Sequence, residues 1–203
     1  MINTTTAHTG IIILAAGKSK RFGTDKREAL LSGTPLLVST VQAYAKLSYP
    51  IIVVTNDNLS ALLKNEITRY ADIVALPKQE QNSGTMGMGD SLAAGIQQAI
   101  VREWDAALIA LGDMPFIQLN TLTQLTQALN TQQALVPVYK DRWGHPVGFQ
   151  RSLFTPLSAL KGDRGGRHIL QQAKPKEIPV NDPGVVMDID TPDQLAQAEQ
   201  YQS

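Results

Sequence analysis

Along this chain, short unbroken apolar runs alternate with longer stretches in which apolar residues recur every three or four positions. The runs "GIIILAA" from Gly10, "PIIVVT" from Pro50, "DIVAL" from Asp72, "AALIALG" from Ala106 and "ALVPVY" from Ala134 lack the alternation of a half-exposed strand. Continuous apolar strands belong to sheets covered on both faces. The segments 35–47, 59–70, 91–102 and 120–129 between them have helical spacing, with Asn120 positioned to cap the last. Strand and helix thus alternate at least four times. This order predicts an α/β fold, three layers around a mostly parallel central sheet, with right-handed crossovers and ligands beyond the carboxyl ends of the strands. After Val138 the rhythm changes. "YKDRWGHPVGFQ" reads as a turn and an extended segment, and "KGDRGGRHIL" as a glycine-rich loop running into a helix. In "VMDIDTPDQLAQAEQ", Thr191, Pro192 and Gln194 spell a capping box that opens the last helix.

Composition narrows the function classes. The 203 residues suit a single domain with a full core, and a formal net charge of zero provides no global field for nucleic acid or membrane. There is no cysteine, which removes disulfides and thiolate metal sites. The opening "MINTTTAHTG" lacks the charged start and apolar stretch of a signal peptide, and no apolar run reaches the roughly 18 residues of a membrane span. A cytoplasmic location follows as the expectation, with residues 1–9 a disordered tail and 10–203 one domain.

The candidate chemistry begins at "ILAAGKSKRFG" (13–23), where a strand meets small residues and then basic ones. A P-loop would need a glycine at position 12, which is Ile12, and Gly17 and Gly23 are too far apart for a dinucleotide fingerprint. Small residues that admit backbone amides, together with Lys18, Lys20, Arg21 and Lys26, suit a phosphate site; a solvated basic turn is the plain alternative.

"LAAGKSKRFG" followed by Lys26 and "LLSGTPLL" resembles the N-terminal signature of the nucleotidyltransferases related to the molybdenum cofactor guanylyl- and cytidylyltransferases, L-A-[AG]-G-x-S-x-R-[FM]-G-x-x-K. The resemblance continues in order through "NSGTMGMGDSLAAG", "LGDMP", "GHPVGF", "GDRGGR" and "DIDTPDQL". Ala16, where guanylyltransferases usually carry glycine, together with "GMGDSL" and "GHPV", is closer to the CTP:molybdopterin cytidylyltransferase branch. Two departures fall where the acceptor should bind. "KREALL" is a residue or two longer than the commonest pattern, and Asp141 and Trp143 replace the usual glycine and basic residue.

The resemblance implies a Rossmann-like nucleotidyltransferase that moves CMP from CTP to the terminal phosphate of molybdopterin with Mg2+. The nucleotide-binding half would lie at about 10–115 and the acceptor-binding half at about 116–203. It assigns Leu14, Ala15, Ala16, Gly17, Lys18, Ser19, Asn82, Gly87 and Ser91 to the nucleotide, and Arg21, Lys26 and Asp113 to catalysis. Asp113 and Asp190 would hold the metal. Trp143, His145, Pro146, Arg164 and Arg167 would face the acceptor. Asp188 is the reserve ligand, on the expectation that Asp188 and Asp190 alternate along an extended segment and only one faces the site. Ser91 and Asp90 read equally well as N-caps, and His145 as a structural hydrogen-bonding group. The remaining alternatives are a related transferase using GTP or another nucleotide with a different phosphorylated acceptor, and a non-catalytic cofactor carrier. Small molecules are the expected partners of a monomer, with a molybdoenzyme or its chaperone the one macromolecular partner implied.

Overall fold

The computed structural model describes residues 8–17, 21–56, 59–76 and 87–199. The elements in chain order are β1 (Thr9–Leu14), β2 (Leu30–Leu31), β3 (Thr34–Pro35), α1 (Leu36–Ala45), β4 (Ile51–Thr55), α2 (Ala61–Ile67), β5 (Asp72–Ala75), α3 (Met88–Val101), β6 (Ala106–Leu111), α4 (Leu119–Leu129), β7 (Ala134–Tyr139), β8 (Arg142–Trp143), β9 (Val147–Gln150), α5 (Phe154–Ser158), α6 (Arg167–Gln172), β10 (Lys176–Pro179) and α7 (Pro192–Glu199). The main sheet has the order β10-β7-β9-β6-β1-β4-β5, with β8 paired to β7. Strands β6, β1, β4 and β5 are parallel, as are β10 and β7, while β9 runs antiparallel to both β6 and β7.

All five predicted strands are present, and their unbroken apolar character has a visible cause. Ile11 and Ile13 of β1 belong to one core cluster with Leu37, Tyr44, Val53 and Leu108, whereas Ile12 belongs to another with Val54, Ile96, Ile109 and Phe149. Successive residues therefore bury on opposite faces. A small third cluster joins Phe22, Leu31, Leu36, Ile189 and Ala198 beneath the β2–β3 hairpin.

The structure corrects several expected boundaries. Strand β1 begins at Thr9, and the His8 N–H donates to the Asp105 carboxylate at 2.8 Å, so the fold starts ahead of Gly10. Asn120 is not a cap: α4 begins at Leu119, and Asp182 accepts the Gln118 N–H at 2.9 Å. Helix α3 begins at Met88, which puts Asp90 and Ser91 inside its first turn rather than at its cap. Strand β10 lies at the sheet edge with only Ile178 buried, too weak a pattern to read. The Thr191 capping box is present, with Gln194 N–H on Thr191 Oγ1 at 3.2 Å and Thr191 N–H on Gln194 Oε1 at 3.0 Å.

Candidate active site

The adjacent parallel strands β4, β1 and β6 end on one edge of the sheet, which brings residues 15–17, 55–56 and 112–114 together. The Gly112 N–H donates to Leu14 O at 2.9 Å and Thr40 Oγ1 to Gly112 O at 3.1 Å, which fixes the turn that presents Asp113. Opposite it, the Ile189 N–H donates to Asp113 O at 3.0 Å while the Ile189 side chain is buried. With Ile189 turned inward, Asp188 and Asp190 both point the other way. The expectation that only one of them faces the site is thereby corrected, because residues two apart in extended chain share a face.

Lys26 joins the two sides of this rim. Its Nζ donates to Asp113 Oδ2 at 2.6 Å, to Asp190 Oδ1 at 2.9 Å and to Ile189 O at 3.3 Å. Arg21, mostly in water, contacts Asp190 Oδ2 at 2.6 Å. Burial alone would lower the Lys26 pKa, but the two carboxylates outweigh it and hold the ammonium above its ordinary value. Burial would likewise raise Asp190, and Lys26, Asp188 and Arg21 together bring it below the usual carboxylate range. Asp188 is raised by burial and by its neighbours Asp190 and Asp113.

A divalent cation fits this rim. Asp113 Oδ1 is buried and has no hydrogen-bond partner, a costly state for a carboxylate oxygen unless a cation meets it. Among the described residues no group of three or more His, Cys, Asp or Glu side chains is arranged to hold a metal alone. Asp113 and Asp190 suit an ion bound through one or two carboxylates and completed by phosphate and water.

Arg27, which sequence reasoning missed, ties the rim together from below. Its buried guanidinium donates to Asp25 Oδ1 at 2.8 Å and Oδ2 at 2.5 Å, to Thr55 Oγ1 at 2.8 Å, to Asn56 Oδ1 at 2.6 Å and to Ala15 O at 3.3 Å. One side chain thus holds the ends of β1 and β4 and the segment carrying Lys26. Burial would raise Asp25, yet the bonds and charge of Arg27 hold it below its ordinary value. The Arg–Asp spacing of two was the available signal; the burial of an arginine was not.

Beside the rim lies a cleft of about 620 Å3, lined by Leu14 and Leu111 from the strands that carry it and by Met88, Trp143, His145 and Arg167. The Lys140–Asp141 turn between β7 and β8 has φ of 47° and 61°, a left-handed pair that matches hairpin twist. Asp is among the residues that adopt this conformation most readily after glycine and asparagine, which accounts for Asp141 here. Trp143 Nε1 donates to Glu177 Oε1 at 2.8 Å, which fixes the indole with 38% of its surface exposed. A Cβ on Gly144 would lie 2.3 Å from Val185 O, so only glycine admits the approach that also lets the His145 N–H reach Val185 O at 2.7 Å. Burial lowers the His145 pKa, with Ile109 O and Asp113 partly opposing it, and its ring is neutral at pH 7.

Other expected site residues fall differently. Lys18, Ser19 and Asn82, with Lys20, lie outside the described residues. The Ala15 N–H is committed to Val54 O at 2.8 Å, leaving Ala16 and Gly17 as the loop's forward positions. Ser91 is buried and its hydroxyl donates to Gly87 O at 3.2 Å. A Cβ on Gly87 or Gly89 would strike the 162–164 backbone at 2.4 and 2.6 Å, so these glycines admit a protein loop. Asp90 Oδ2 joins the same two segments, accepting the Gly87 N–H at 2.8 Å and the Gly162 N–H at 2.9 Å. Pro146 is buried and Arg164 exposed, and neither lines the cleft.

A family model described as MobA-like NTP transferase domain matches residues 11–177. The chain is 27% identical over 199 residues to the purine catabolism protein PucB of Bacillus subtilis, covering 90% of this chain and 92% of that protein. It is 26% identical over 194 residues to a probable molybdenum cofactor guanylyltransferase of Trichormus variabilis, covering 91% and 87%. Among solved structures, Rv0371c from Mycobacterium tuberculosis matches with a TM-score of 0.77 at 22% identity over 97% of this chain and 99% of that one. The structure of Rv0371c in complex with manganese matches with a TM-score of 0.75 at 20% identity, over 97% and 100%.

Proposed function

We propose, from the premise that this chain belongs to the family of MobA-like NTP transferase domains and is a nucleotidyltransferase, that it transfers CMP from CTP to the terminal phosphate of molybdopterin. The observation that carries the reading is the meeting of Lys26, Asp113 and Asp190 on the strand edge that borders an apolar cleft with a fixed indole. "LAAG", "GMGDSL" and "GHPV" support the cytidylyl branch, and a relative named for molybdenum cofactor guanylyl transfer supports a molybdopterin-type acceptor. The nucleotide half would be residues 10–115 and the acceptor half 116–203.

The acceptor's phosphate monoester, largely dianionic at neutral pH because its second pKa is about 6, attacks the α-phosphorus of CTP. A new P–O–P bond forms, the α–β bond breaks, and pyrophosphate leaves. No protein nucleophile is required. Asp113 and Asp190, with Asp188 beside them, would hold Mg2+, which when bound neutralises phosphate oxygens. Arg21 and Lys26 meet charge on the triphosphate and on the departing pyrophosphate. Trp143 offers its face to a planar ring, Arg167 an anion contact, and neutral His145 a hydrogen-bonding edge without added charge.

The reading is tested by pyrophosphate release from CTP and from GTP, each with Mg2+ and molybdopterin. Release with CTP in preference to GTP is the expected result. A GTP preference moves the protein to the guanylyl branch, and release only with other phosphorylated acceptors overturns the molybdopterin assignment.

A further inference from the structure

We infer that Lys26 is the resident counter-ion of the metal site, standing between Asp113 and Asp190 where a divalent cation would bind, so that a nucleoside triphosphate opens the carboxylates by drawing the lysine away. This rests on the nucleotidyltransferase reading above and adds the order in which the site fills.

The geometry is that of a satisfied ion. An ammonium has three N–H donors, and Lys26 has three acceptors within reach: Asp113 Oδ2 at 2.6 Å, Asp190 Oδ1 at 2.9 Å and Ile189 O at 3.3 Å. The three side chains are 15–19% exposed, so water competes little for these bonds. Arg21 takes the second Asp190 oxygen. Of the four carboxylate oxygens on Asp113 and Asp190, the one without a partner is the buried Asp113 Oδ1.

A dication held by the same two carboxylates would lie within a few ångströms of Nζ, and like charges that close repel. The ammonium must therefore leave, and leaving requires acceptors elsewhere. Triphosphate oxygens provide them for both Lys26 and Arg21. The move is confined to the side chain: Asp25 and Arg27, on either side of Lys26, are paired to each other, and Lys26 O accepts the Ala29 N–H at 3.2 Å. The exposed Arg21 can swing with little loss, since an exposed ion pair is worth little.

The test uses Mn2+ as the probe, with its binding followed by the spin-resonance signal of the free ion, on the wild type, Lys26→Met and Lys26→Arg without nucleotide. Lys26→Met is expected to bind Mn2+ about tenfold more tightly than the wild type, and Lys26→Arg to stay close to it. In EDTA Lys26→Met should melt lower than the wild type, and Mn2+ should close that gap. Should Lys26→Met fail to fold in EDTA, recovery of its fold on adding Mn2+ supports the inference and absence of recovery overturns it. Equal or weaker Mn2+ binding by Lys26→Met also overturns it. If CTP with Mn2+ stabilises the wild type in that case, the functional reading survives without the counter-ion role. Tight Mn2+ binding by Lys26→Met, with no nucleoside triphosphate stabilising either protein, upholds the ion competition and removes the nucleotide reading.

Discussion

The charged rim and the apolar cleft share the strand ends of β1 and β6, yet they are built on opposite principles. On the rim the buried charges are committed, with Lys26 bonded to three groups on two segments and Arg27 to four residues on three. In the cleft, Leu14, Leu92, Phe149 and Met88 provide surface, and orientation is left to Trp143, His145 and Arg167. Charge chemistry needs fixed positions because an ion displaced by an ångström loses its partner, whereas an apolar wall tolerates small changes and selects by shape. On the proposed function, the rim serves the reaction and the cleft the choice of acceptor.

The largest way to break this division is Asp113→Asn, which removes charge from the rim and nothing from the cleft. Pyrophosphate release should fall at least about a thousandfold while far-UV circular dichroism stays near wild type and melting drops by a few degrees, because Lys26 loses one of its two carboxylates. A fall below tenfold would show that Asp113 does not serve the reaction. Next comes Arg27→Met, which leaves the half-exposed Asp25 without its cation and the buried Thr55 hydroxyl without its donor. Losing them costs about 2–3 kcal/mol, which for a chain of this length lowers the melting temperature by about 5–10 °C in calorimetry. On the cleft side, Trp143→Ala should raise the acceptor KM about tenfold and leave CTP affinity measured by titration calorimetry unchanged. A matching loss of CTP affinity would merge the two regions.

The smallest effect concerns pH. Because burial holds the folded-state pKa of His145 below its unfolded value of about 6.5, the unfolded chain takes up the proton first as pH drops. Stability therefore rises with pH across the window just below 6.5 and levels off above it. His145→Asn should flatten that rise by about 2 °C or less in melting curves taken from pH 5 to 8. An unchanged slope would assign the rise to other groups.

Much of this was legible in the chain itself. Five apolar strands announced themselves, four of them buried on both faces and β5 half-exposed at the sheet edge, and Asp113, Lys26 and Arg21 stood out because their motif places them around one strand edge. What escaped reading has physical causes. Strands β8 and β10 bury too little to leave an apolar signature. Arg27 looks like any surface arginine until long-range pairing encloses it. The resemblance assigns Gly87 to the nucleotide, although the space beside Gly87 and Gly89 is filled by residues 162–164. Asp188 ranks only as the reserve ligand on an expected alternation with Asp190, whereas their spacing of two puts both on one side.

The antiparallel strand β9, wedged between β6 and β7, has one more consequence. It bonds β6, whose end borders both rim and cleft, to β7 on the far side of the cleft, so that rim and cleft stand on a single hydrogen-bonded plate. On the proposed function, the separation between the two docking places is cast when the chain folds, and an acceptor of the wrong reach misses its target rather than being drawn toward it.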